Sequence, residues 1–76
     1  MIKREEASNP NSCLNKSQDD EPLFVICARD EAFVNTVKKW IRRRIKLGLN
    51  KPGDRKVADA ESLIEQAREW RKTNLR

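Results

Sequence analysis

From Phe33 to Leu47 the apolar residues recur at the period of an α-helix, and nothing else in the chain restricts the fold as strongly. At roughly 100° per residue, Leu47, Trp40, Phe33, Val37, Ile41, Val34 and Ile45 share one arc. Lys38, Arg42, Lys46, Lys39 and Arg43 share the opposite face. Such a helix must cover its apolar arc, and the next stretch supplies the cover. Gly48 suits the left-handed residue that follows a helix end, and Leu49-Asn50-Lys51-Pro52-Gly53 interrupts continuation before a new start at Asp54. From about Arg55 to Lys72, Val57, Ala60, Ile64, Ala67, Leu63 and Trp70 form a second, narrower stripe, with two alanines that allow close approach. The pattern predicts an antiparallel two-helix hairpin in a mainly α protein.

The first helix is predicted to begin after Asp30, whose carboxylate can accept from first-turn amides. Before it, Leu23-Phe24-Val25-Ile26-Cys27-Ala28 is an apolar run too short for periodicity to decide between a strand and a helical turn. A strand would need an edge from another copy or a target, since no second convincing strand exists in the chain. Residues 1–20 are rich in turn formers and lack an apolar period, so too little can be buried to offset the entropy of ordering. They are expected to form a flexible N-terminal arm anchored only by Cys13 and Leu14, followed by a small helical domain over 21–76.

With 76 residues, the chain falls below the size, about 80 residues, at which one core is comfortably self-sufficient. Help from a second copy or a bound partner is expected, and a homodimer is the natural form. The absence of histidine removes most catalytic triads and zinc sites, so binding is expected rather than chemistry, without cofactor or metal. Cys13 and Cys27 read as free thiols, there being no secretory segment and no disulfide-dense pattern. The six-residue apolar run is far shorter than the roughly 20 residues of a membrane span, so no membrane partner is expected and the chain reads as soluble and intracellular.

Charge is unevenly placed. Residues 1–22 hold three Lys/Arg against five Asp/Glu, residues 23–76 fourteen against seven. The densest part is Lys38, Lys39, Arg42, Arg43, Arg44 and Lys46, the candidate partner-binding residues. Three uses fit them: a solvated face, an acidic protein or nucleic-acid-associated complex, and nucleic acid itself. No helix-turn-helix, zinc-finger or single-strand-binding aromatic motif accompanies them.

Arg44 stands apart, because its angle falls inside the apolar arc. Its guanidinium is expected to snorkel, to pair with Asp59 or Glu69, or to meet a partner's carboxylate. Arg71 is placed similarly near the end of the second helix. Glu61, Glu65 and Glu69 form an acidic ridge relieved by Arg68 and Lys72, which offers a surface for self-association as well as a solvated face. Asp19-Asp20-Glu21 lies in sequence at the arm's edge and does not form a converging carboxylate pair. Trp40 and Trp70 are expected to flank Leu63 and seal the core; an indole left exposed beside the basic residues would be a binding hot spot.

Taken in order, Asp19-Asp20-Glu21-Pro22-Leu23-Phe24-Val25-Ile26-Cys27-Ala28-Arg29-Asp30, the helix bearing Trp40, Lys56-Val57-Ala58-Asp59-Ala60 and Glu69-Trp70-Arg71 resemble small, uncharacterised proteins encoded by bacteriophages and prophages. The resemblance covers roughly residues 12–71, and Ala32-Phe33 departs from it where Ala-Pro is common. It implies phage origin and a bacterial cytoplasm, and carries over no catalytic or binding residue. The expectation is therefore a phage accessory protein that binds and inhibits or redirects a host protein, including a defence effector, through its basic helix face. The alternative is a nucleic-acid-binding protein using the same face.

Overall fold

The computed structural model describes residues 1–75. The elements are α1 (Lys3–Ser8), α2 (Cys13–Lys16), α3 (Phe33–Lys46) and α4 (Arg55–Asn74), with no strand among the described residues. Helix α3 packs on α4 as the expected hairpin, and α1 packs on α2 as a separate pair.

The hairpin is built on aliphatic burial. Ile41 from α3 meets Val57, Ala60 and Ile64 from α4, and Val34, Val37 and Ile45 close around them. Phe33 and Ala67 are also buried. The alanines do what their size suggests: Ala60 and Ala67 keep only 2% of their surface exposed, so α3 lies directly over the α4 backbone. Trp40 and Leu47, at the outer edge of the α3 arc, remain 37% and 56% exposed. The arc is wider than α4 can cover.

At the reversal the end of α3 is satisfied by backbone bonds, whereas the start of α4 has no side-chain cap and is approached through a braced loop. The amides of Gly48 and Leu49 donate to the carbonyls of Ile45 and Arg44, at 3.0 Å each, which closes α3 in a Schellman turn. That geometry requires the positive φ of 75° at Gly48. At the other end of the loop, the Asp54 carboxylate accepts from the Lys51 amide at 2.7 Å and from the Asn50 side chain at 3.3 Å. Asp54 thereby fixes the entry to α4 by holding the loop.

Helix α3 starts three residues after Asp30. The Asp30 carboxylate accepts from the Ala32 amide at 2.8 Å and its carbonyl from the Phe33 amide at 3.0 Å. It thus organises a turn ahead of the helix, a local competitor to capping that short acidic side chains favour. Residues 22–27 adopt neither conformation expected for the apolar run; they form an irregular strap. No strand among the described residues offers it an edge, and its far end is pinned from outside. The Arg71 guanidinium donates to the carbonyls of Ala28 and Arg29 at 3.1 and 2.7 Å. Arg71 is therefore the clamp between the end of α4 and the start of α3.

In residues 1–20, short helices stand where the sequence predicts an arm without a core. The buried residue of this stretch is Ser12, and it is held by polar bonds. Its hydroxyl donates to the Glu6 carbonyl at 2.6 Å and accepts from the Asn15 amide at 3.2 Å. The Asn15 side-chain amide lies within bonding distance of the carbonyls of Glu6, Ala7 and Asn9, at 3.0, 3.0 and 2.8 Å. Cys13 and Leu14, the expected anchors, are exposed.

Candidate interaction surface

Five of the six candidate residues lie together. Lys38, Arg42 and Lys46 follow one another at single-turn spacing along α3, with Lys39 and Arg43 in a parallel row, and all five are exposed. Their neighbours at spacing four repel by about 0.2–0.5 kcal/mol a pair. None of them joins an ion pair among the described residues, where the pairs are Met1–Glu5, Arg55–Asp59, Arg68–Glu65 and Lys72–Glu69. The face holds positive charge that intramolecular contacts leave available.

Arg44 is separated from this group, and neither Asp59 nor Glu69 is its partner. Its Nε donates to Asn50 Oδ1 at 2.7 Å, and its guanidinium carbon sits 5.4 Å from the Trp40 ring centroid. Asn50 in turn donates to Asp54, so a polar chain runs from α3 through the loop to the start of α4. Arg44 thus props an exposed indole from one side and braces the reversal from the other. Of the uses expected for Arg44, pairing with Asp59 or Glu69 is not the one taken: those carboxylates lie beside Arg55 at 3.9 Å and Lys72 at 3.4 Å on their own helix.

Neither tryptophan seals the core. Trp70 is 39% exposed at the opposite end of the hairpin, with the Arg29 guanidinium 5.9 Å from its ring. Each indole is covered on one side by a cation, a contact of about 0.5–1 kcal/mol at exposed sites. The spacing of four between Trp40 and Arg44 is a signal present in the sequence, since it sets the two side chains one above the other on a helix. The exposure of Trp40 places an aromatic edge beside Arg43 and Leu47, contiguous with the basic rows.

The acidic ridge of α4 behaves as its spacing predicts: Glu65 pairs with Arg68 at 2.6 Å and Glu69 with Lys72 at 3.4 Å. Cys13 and Cys27 are free thiols on the lining of one open cavity. No group of His, Cys, Asp or Glu converges as a metal site among the described residues. No helix of the described chain is long and apolar enough to cross a membrane. Comparison with family models, curated proteins and solved structures gives no match to this chain.

Proposed function

We propose that this chain is a non-enzymatic phage accessory protein that binds a host protein in the bacterial cytoplasm and inhibits or redirects it, a defence effector being one such target. Lys38, Lys39, Arg42, Arg43 and Lys46 would meet an acidic surface of that host protein. The observation that carries the reading is the propped indole: Trp40 stands exposed at the edge of a cationic face whose five residues join no ion pair among the described residues. Aromatic and arginine anchors dominate protein interfaces, and here one of each stands at the border of the basic rows. The mechanism is occlusion, in which the basic face covers an acidic or nucleic-acid-facing surface of the host factor. Phage origin rests on the resemblance carried by residues 12–71.

The test is affinity capture from bacterial lysate with and without nuclease, comparing wild type with Arg42→Glu/Arg43→Glu and with Trp40→Ala. A stoichiometric, nuclease-resistant protein lost in both variants supports the reading. Partner binding that survives the charge reversal rejects it. Recovery of nucleic acid alone, indifferent to Trp40→Ala, would assign the face to phosphate instead. Affinity would then fall with a log–log salt slope of about −0.9 per duplex phosphate contacted.

A further inference from the structure

Between the α1–α2 pair and the hairpin lies an open apolar cavity of about 670 Å³. Phe33, Val37 and Leu63 line it from the hairpin, Ile2 and Leu14 from the first helix pair, and the strap from the side. On the strap, Leu23, Phe24 and Val25 are 52%, 84% and 74% exposed. The strap's amides from Leu23 to Ile26 make no hydrogen bond among the described residues. A protruding apolar segment and an apolar hollow therefore share one face.

We propose that a second copy of the chain closes this face, in a two-fold arrangement in which Phe24 of each copy enters the cavity of the other. Knob and hollow on one surface is the condition for a self-complementary contact that closes on itself. The molecule also carries the surplus area such a contact needs. Its accessible surface is 6521 Å², whereas a compact monomer of 8.9 kDa exposes roughly 4,800 Å². The difference, roughly 1,700 Å², is about twice the 800 Å² per partner of a standard interface. The radius of gyration agrees, at 13.3 Å against roughly 11.4 Å for a compact chain of this length.

Charge selects the same face. Two chains of net charge +5 repel if their basic rows meet, but the rows lie across α3 from Phe33 and Val37, which line the cavity. A dimer through the cavity therefore turns both basic faces outward. The charged residues on the lining, Lys3, Glu6 and Arg29, include both signs, and Asp19-Asp20-Glu21 immediately precedes the strap. The competing contact, basic face on acidic ridge, has lost part of its acid to Arg68 and Lys72. A second strap alongside the first would also supply acceptors for the unbonded amides. This inference is independent of the host-binding reading, since it leaves the face carrying Arg42 and Arg43 free.

Sedimentation equilibrium from about 1 to 100 μM tests it. Wild type should reach twice the 8.9 kDa of one chain. Phe24→Asp should weaken association at least roughly a hundredfold, with helical circular dichroism unchanged because the residue is exposed in the monomer. Val25→Asp should weaken it in the same direction, and Arg42→Glu/Arg43→Glu should leave it intact. A wild type that stays monomeric across the range overturns the inference. So does a dimer indifferent to both strap variants, and one lost on charge reversal would locate the contact on the basic face. Failure of either kind leaves the lysate capture to be judged on its own result.

Discussion

Between α3 and α4 the contact is a row of aliphatic side chains, Ile41, Val57, Ala60 and Ile64. Between α1 and α2 it is a hydroxyl and an amide bonded to helix-end carbonyls. The hairpin helices run 14 and 20 residues; the first pair run 6 and 4. Isolated helices shorter than roughly 12–15 residues are marginal in water, so α1 and α2 depend on those polar bonds as the hairpin depends on burial. A hydrogen bond contributes about 0.5–1.5 kcal/mol net, a fully buried aliphatic side chain about 1.5–3. The first pair should therefore open at a free energy well below that of the hairpin, as a separate unit.

The strongest way to break this contrast is in the aliphatic row. Ile64→Ala removes a side chain that is 6% exposed and should cost about 2–5 kcal/mol. With so few buried side chains to share the loss, thermal unfolding followed by circular dichroism should show a large drop in Tm or no cooperative transition. A small drop, comparable to that of a surface substitution, would mean the helices are held by something other than this row. Next in size is the reversal. Asn50→Ala removes the link between Arg44 and Asp54 and leaves the half-buried Arg44 Nε without its acceptor, at about 1–3 kcal/mol. Trp40 fluorescence should change with it, because the guanidinium is no longer held over the ring.

How far the fold could be read in advance follows from the same contrast. Periodicity reports apolar burial, so α3, α4 and the residues between them were legible, including Val57, Ala60, Ile64 and Ala67 as the buried stripe. A helix pair held through Ser12 and Asn15 leaves no apolar period, only the turn formers from Ser8 to Ser12 that now connect α1 to α2. Arg71 was legible as a guanidinium set among apolar positions, but its acceptors, carbonyls 42 and 43 residues back, have no signature in spacing. At the candidate site the five cations were evident from the helical arc. The exposure of Trp40 was not, because its angle places it with the apolar residues and only the narrowness of α4's alanine-lined stripe decides how much of that arc is covered.

Ser12→Ala sharpens the contrast from the other side. It removes the bonds to the Glu6 carbonyl and the Asn15 amide while touching nothing in the hairpin. Amide exchange at Asn9 and Asn15 should accelerate by roughly fivefold, the equivalent of about 1 kcal/mol. The hairpin Tm should stay where it is. If the Tm fell with it, the two pairs would be one cooperative unit and the comparison would fail.

The smallest effect expected is acid sensitivity confined to α1. The Met1 ammonium donates to Glu5 Oε1 at 3.0 Å, and this hydrogen bond is the main cause of a Glu5 carboxyl pKa below its ordinary value of 4.5; the Ile2 amide at 3.4 Å and the ammonium charge add to it. A carboxyl whose pKa is depressed on folding lends stability that is fully present above the unfolded value and disappears as pH falls through the folded one. The window therefore opens near pH 4.5 and extends to lower pH. The group is exposed, so the effect is screened and local. Amide exchange at Glu6, whose amide bonds the Ile2 carbonyl at 3.0 Å, should lose protection across that window while the hairpin amides keep theirs. Glu5→Gln should show the unprotected behaviour already at neutral pH and no further acid dependence there. Equal acid sensitivity in the variant would shift the cause away from Glu5. Loss of hairpin protection in the same window would show the two helix pairs to be coupled through charge even though no helix of one packs on a helix of the other.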